Sequence, residues 1–70
     1  MSAADTVRKI REKAGISRKE LANRLGLTKE AISYYENGKR TPRVENMFKL
    51  IELAATLKLK LSPNDFFEAE

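Results

Sequence analysis

The stretch that decides the fold is SRKELANRLGLTKEAISYYENGKRTP, residues 17–42. It opens on a Ser-x-x-Glu capping box at Ser17, which marks the start of a helix. Gly26 ends that helix, and Thr28 is a suitable N-cap for a second helix, which ends at the Asn-Gly pair after it. Two short helices joined by so few residues have to cross at a steep angle.

The chain before this stretch predicts a first helix that ends at Gly15. Asp5 or Thr6 can cap it, and Asp5 also suits the positive end of a helix. Its apolar residues recur at spacings of three and four and form a narrow stripe: Val7, Ile10 and Ala14. This stripe gives the first helix one apolar face, which can pack on the two steeply crossed helices of residues 17–37.

The chain after residue 42 predicts a fourth helix, from residue 43 or 44 to residue 57. Its apolar face is broader than one partner helix requires: Val44, Met47, Phe48, Leu50, Ile51, Ala54, Ala55 and Leu57. Residues 57–61, LKLKL, alternate with period two, and they fit a continued helix, an extended connector or a short strand. Ser62 and Pro63 then predict a last short helix over residues 62–70.

These elements predict an all-α fold, a compact five-helix bundle that contains a helix-turn-helix. No internal repeat or linker is visible, so residues 1–70 are expected to form a single domain, with the helix-turn-helix proper at about residues 17–37. A chain of 70 residues is close to the lower limit for a self-sufficient core.

The composition excludes several classes of function. The chain has no cysteine and no histidine, which argues against thiol nucleophiles, the common zinc sites and an enzyme in general. We therefore expect no catalytic residue, no metal, no cofactor and no small-molecule substrate. No apolar run is long enough for a membrane span, and the N-terminus lacks the apolar region of a signal peptide, so a cytoplasmic location without membrane contact is expected.

The positive charge is concentrated in the first part of the chain. The net charge is +4, and residues 17–43 alone carry seven basic and three acidic side chains, whereas residues 44–70 carry three basic and five acidic ones. A polyanion is the simplest partner for such a basic segment, and an ordinary solvated surface is the alternative explanation of the charge.

Residues 7–67 resemble the Cro/repressor-type helix-turn-helix domain, whose third helix is the recognition helix. The matching features occur in the order expected for that family: Ile10-Arg11, Glu20-Leu21-Ala22, Leu25-Gly26, Ile32 and Glu36-Asn37-Gly38-Lys39-Arg40-Thr41-Pro42. The resemblance covers nearly the whole chain. It implies a five-helix DNA-binding domain that inserts its third helix into the major groove.

The resemblance also implies roles for particular residues. The base-facing positions would be Lys29, Glu30, Ser33 and Tyr34, for which ordinary solvated helix surface is the alternative. The phosphate-binding positions would be Arg18, Thr28, Asn37, Lys39, Arg40 and Arg43, with backbone N–H groups of residues 37–39 among the donors. Relatives commonly carry glutamine where this chain has Arg18, and general solubility is the alternative explanation for the basic loop.

Two further expectations concern structure and assembly. In the resembling family an arginine and a glutamate at the positions of Arg11 and Glu36 pair inside the bundle, so both are interpreted as structural. Such domains bind two-fold operators as dimers. The extra apolar surface of the fourth helix and the residues after it are the candidates for a dimer patch: Leu59, Leu61, Phe66 and Phe67. The alternative for the two phenylalanines is closure of the monomer core.

The leading hypothesis is therefore a sequence-specific, homodimeric repressor that binds a palindromic operator in double-stranded DNA. A phage or mobile-element repressor, a restriction-modification controller and an antitoxin all fit within it. The alternative is a protein-interaction module, such as an antitoxin or coactivator, whose main partner is another protein.

Overall fold

A computed structural model describes residues 2–66, which form four α-helices and one short 3₁₀ helix. The α-helices are α1 (Ala3–Ala14), α2 (Arg18–Leu25), α3 (Lys29–Glu36) and α4 (Val44–Thr56), and the 3₁₀ helix is Pro63–Phe66. No strand occurs within residues 2–66. The all-α prediction is confirmed, but the count of five helices is wrong. The last element is a single 3₁₀ turn, and residues 67–70 of the predicted fifth helix lie outside the described part.

Short polar side chains begin the first three helices. The Asp5 N–H donates to Ser2 Oγ at 3.2 Å, so α1 begins earlier than either cap expected from the sequence, Asp5 or Thr6. Ser17 Oγ and Thr28 Oγ1 accept from the third backbone N–H of α2 and α3, each at 3.1 Å, as predicted. These bonds satisfy N–H groups that have no partner inside the helix.

The turn between α2 and α3 depends on a glycine. Gly26 has a φ of 69°, a conformation that L side chains rarely adopt. Directly after it, the Leu27 N–H donates to the Ala22 carbonyl at 2.8 Å and closes the turn. Ala22 is 2% exposed, and its small side chain allows the close approach of helices that the steep crossing requires.

One cluster of buried apolar side chains joins the elements. Its members are Ala3, Val7, Ile10, Leu21, Ala22, Leu25, Ile32, Tyr35, Met47, Leu50, Ala54 and Phe66. Phe66 is 1% exposed because the 3₁₀ helix packs against both α1 and α4. Thr6 Oγ1 donates to the Asp65 carbonyl at 2.6 Å and ties the end of the chain to α1. The 3₁₀ helix, Pro63–Phe66, is therefore attached to the monomer core through Phe66.

The LKLKL segment is a turn followed by an irregular connector. α4 ends at Thr56, and Leu57 and Lys58 form the turn, in which Lys58 has a φ of 62°, so the helix does not continue through the segment. The Leu59 N–H donates to the Ala54 carbonyl at 2.9 Å and closes this turn, and Leu59 and Leu61 are partly buried against the core. The segment is therefore neither a continued helix nor a strand, and only residues 59–61 serve as a connector.

Only about half of the broad apolar face of α4 is buried in the core. Met47, Leu50 and Ala54 are buried, whereas Val44 is 63% exposed and Phe48 is 52% exposed. None of the helices within residues 2–66 has the length and apolarity that crossing a membrane requires.

Candidate nucleic-acid interface

The outward face of α3 holds the predicted base-reading side chains. Lys29, Glu30 and Tyr34 are exposed, and Ser33 is partly buried. The opposite face of the helix is buried through Ile32, Tyr35 and Glu36. The helical period therefore separates a core-facing row from an outward row that carries a cation, a carboxylate and two hydroxyl groups. Such a row offers donors and acceptors of the kind that base edges in the major groove present.

The loop after α3 folds back onto Tyr34. The Tyr34 carbonyl accepts from the N–H groups of Lys39 and Arg40, at 2.9 and 3.3 Å. The Arg40 guanidinium carbon lies 5.3 Å from the centre of the Tyr34 ring, within the range of a cation–π contact. A predicted base reader and a predicted phosphate binder therefore lie against each other.

The positions predicted to bind phosphate, apart from Arg18, are accessible through their side chains. Thr28, Asn37, Lys39, Arg40 and Arg43 are all exposed. The backbone N–H groups of residues 37–39, which were also predicted to contact phosphate, have partners inside the protein. All three already donate to carbonyls of α3, at 2.9, 3.2 and 2.9 Å. Phosphate contact here has to come from side chains.

Glu36 lies at the centre of an arginine cluster inside the bundle. Its side chain is fully buried, and its Oε2 lies 2.6 Å from Arg11 Nε while its Oε1 accepts from Arg11 Nη2 at 3.2 Å. These bonds raise the pKa of the Arg11 guanidinium above its ordinary value, against the opposing effect of burial. Arg11 also donates to the Ile16 carbonyl at 3.2 Å. The pair expected from the resemblance thus joins α1 to α3.

Two further arginines reach the same carboxylate. Arg18 Nε donates to Glu36 Oε1 at 3.3 Å, so this predicted phosphate binder is engaged inside the molecule while its side chain stays 40% exposed. Arg8 donates to the Glu36 carbonyl at 3.1 Å, and its Nε lies 3.9 Å from Oε1. The sequence analysis assigned Arg8 no role. Arg8 lies three residues before Arg11 and therefore on the same helix face, and this spacing indicates that both can reach the same partner.

A family model described as helix-turn-helix matches residues 7–62. The chain belongs to the Cro/C1-type helix-turn-helix family. Searches of curated proteins and of solved structures found no match. Helix-turn-helix domains of this family are DNA-binding regulatory domains, so DNA is the partner of this chain.

The predicted dimer patch of this helix-turn-helix domain is only partly on the surface. Phe66 is buried in the monomer core, so its placement on a dimer surface is wrong. Phe67 lies outside the described residues. Leu59 and Leu61 are partly exposed and line one shallow groove with Ile51. These two leucines remain candidates for contact with another copy.

The described residues of this helix-turn-helix domain contain no group of three or more acidic side chains that could hold a metal ion. Two side-chain hydrogen bonds connect α4 to the helices before it. The buried Asn46 donates to the Tyr35 hydroxyl at 3.4 Å, and Lys49 Nζ donates to the Leu25 carbonyl at 3.2 Å. These bonds attach α4 to α3 and to the end of α2, and so help to hold α3 in place.

Proposed function

We propose that the chain is a homodimeric repressor that reads a palindromic operator through α3. The observation that carries this proposal is the outward row of α3, Lys29, Glu30, Ser33 and Tyr34, on a helix whose other face is held by the core. Occupation of the operator would exclude polymerase, and no chemistry by the protein is needed. A cytoplasmic location and a phage or mobile-element origin belong to the same proposal.

Individual roles follow from side-chain chemistry. Lys29 can donate to guanine O6 and N7, and Glu30 can accept from the amino group of cytosine. Tyr34 can place its ring against a thymine methyl group. The exposed cations of the loop after α3 would hold the phosphate backbone and set the register without reading sequence.

The test is a selection from random duplex DNA followed by a comparison of two lysine variants. A palindromic consensus is expected, since each copy would read one half-site. Lys29→Ala should change which operator positions matter, whereas Lys39→Ala should weaken binding to all sequences about equally and reduce the salt slope by about 0.9. Identical losses for both variants on every sequence would show that α3 is not the reader.

Salt dependence separates this function from its alternative, a module that binds another protein. With about four to six phosphates neutralised per monomer, log K should fall with log salt at a slope of about −4 to −5 for each bound monomer, and about twice that for a bound dimer. The exposed Val44 and Phe48 are the observation in favour of a protein partner. A flat salt response together with tight binding to a protein would favour that alternative.

A further inference from the structure

Within residues 2–66, the largest exposed apolar side chains outside α3 lie on one face of α4. Val44, Phe48, Ile51 and Ala55 follow each other at spacings of four, three and four residues, which places them in one row along the helix. Val44 is 63% exposed, Phe48 is 52% exposed and Ala55 is also exposed. We call these four residues the α4 stripe. Contiguous exposed apolar surface is where protein partners bind, so this row is a candidate contact surface.

The stripe leads into a groove. Ile51 and Ala55 line it from α4, around a volume of about 460 Å³. Leu59 and Leu61 line it from the connector, together with Lys58 and Lys60. Phe48 lies one turn before this groove on the same helix, so it does not fill the groove of its own chain. The α4 stripe therefore combines a projecting aromatic ring with a neighbouring apolar recess.

We propose that the α4 stripe binds the α4 stripe of a second copy in antiparallel orientation, so that Phe48 of each copy enters the groove of the other beside Ala55. A two-fold axis makes such a contact self-complementary. The Phe48 ring of the first copy enters the groove of the second, and the Phe48 ring of the second enters the groove of the first. This proposal rests on the proposed function, and it names the surface by which the two copies meet.

The charges around the stripe fit a second copy better than they fit a polyanion. Glu45 and Glu52 border the stripe along the helix, and Lys58 and Lys60 lie at its far end. Glu45 and Lys58 are at opposite ends, so antiparallel packing brings opposite charges towards each other twice. Residues 44–70 are acidic overall, whereas the DNA-facing part of the chain is basic. The stripe is thus free of the repulsion that two basic faces would meet.

The position of the stripe also suits two copies on one operator. Val44 directly follows Arg43, the last predicted phosphate-binding residue, so the stripe begins where the DNA-facing loop ends. Two copies that meet along α4 would bring their basic loops to the two sides of the two-fold axis. Both copies could then face the same side of one duplex.

The size of the stripe indicates a weak dimer. From Val44 to Ala55 the helix rises about 16 Å, and a helix face about 10 Å wide offers on the order of 200 Å² before the groove is added. Stable interfaces bury about 800 Å² on each partner. We therefore expect micromolar or weaker self-association in solution, completed on the operator, where neighbouring half-sites raise the effective concentration. Operator occupancy would then rise with about the square of protein concentration.

The test is sedimentation equilibrium of the full chain without DNA. Phe48→Lys and Ala55→Glu should each weaken self-association about tenfold or more, because each places a charge in an apolar contact. An equimolar mixture of the two variants should associate more tightly than either alone, since the mixed pair joins Lys to Glu at one contact and keeps Phe on Ala at the other. Phe48→Leu is the matched control and should retain association.

Both positions are exposed, so the thermal midpoints of the variants should stay close to that of the unchanged chain, which verifies that they fold. A chain that is monomeric at millimolar concentration and equally cooperative on the operator with and without Phe48→Lys would overturn the proposal. A dimer whose stability none of the variants affects would also overturn it. So would binding of a different protein to the stripe without any self-association of the chain. Absence of sequence-selective DNA binding would instead overturn the proposed function. The sedimentation result would still decide whether the α4 stripe mediates self-association.

Discussion

The buried carboxylate of Glu36 should dominate the stability of the bundle, far beyond any other glutamate of α3. Its side chain is fully buried and accepts three hydrogen bonds, two from Arg11 and one from Arg18. Glu30 lies on the same helix, is exposed and has no such bonds within the described residues. Glu36→Ala and Glu30→Ala are therefore the same chemical change in two opposite environments.

The magnitude follows from what the first variant leaves behind. Removal of one partner of a buried ion pair costs ~3–5 kcal/mol. Arg8 and Arg18 are 44% and 40% exposed and can regain water, so the lower end of that range, about 3 kcal/mol, is appropriate. A domain of this size loses about 4–8 °C of thermal midpoint per kcal/mol, which corresponds to a fall of about 12–24 °C. Glu30→Ala should change the free energy of unfolding by less than about 0.5 kcal/mol.

The assay is thermal unfolding followed by circular dichroism, with urea unfolding to obtain free energies. Total stability for 70 residues is on the order of 3–10 kcal/mol, so Glu36→Ala can approach complete unfolding. Glu36→Gln keeps the shape and one acceptor oxygen, and its midpoint should lie between those of Glu36→Ala and the unchanged chain. Midpoints for Glu36→Ala and Glu30→Ala within about 2 °C of each other, on the scale of 4–8 °C per kcal/mol, would refute the reasoning.

Three further variants test separate contacts. Lys58→Gly should raise the free energy of unfolding by about 0.5–1 kcal/mol in urea, because glycine adopts the positive φ of this position without steric cost; an unchanged midpoint would contradict this. Thr6→Val removes the hydroxyl that donates to the Asp65 carbonyl at 2.6 Å and should lower the thermal midpoint by about 4–8 °C, whereas a neutral result would mean that the bond adds nothing. Arg40→Gln removes the cation over the Tyr34 ring, so competition against single-base operator variants should show relaxed discrimination at one position, and a uniform loss would argue for phosphate contact alone.

Local signals in the sequence were sufficient for most of the bundle. Capping residues such as Ser17 and Thr28 bond to N–H groups three residues away, so their effect can be predicted without knowledge of the tertiary fold. The glycine at residue 26 works in the same way, because the need for a positive φ arises within the turn itself. The family assignment rests on several such positions in order.

What the sequence analysis missed depended on the tertiary structure. Phe66 is buried only because α1 and α4 leave a space for a four-residue turn, which no periodic pattern marks. The end of α4 was predicted at residue 57 and lies at Thr56, but the turn after it had no local signal, because Lys58 adopts a conformation usually left to glycine. The broad apolar face of α4 was visible in the sequence, but its division into a buried half and an exposed half depends on where the other helices lie.

Arg18 shows how one residue can serve both the fold and the interface. Its bond to Glu36 is the weakest of the three that the carboxylate accepts, at 3.3 Å, and Arg11 holds both carboxylate oxygens without it. Arg18 can therefore exchange a carboxylate oxygen for a phosphate oxygen while the buried charge stays paired. The three arginines around the one carboxylate also leave a net positive charge where α1, α2 and α3 meet. The same group that holds α3 against α1 thus keeps a cation at the start of α2, where the DNA backbone is expected to pass.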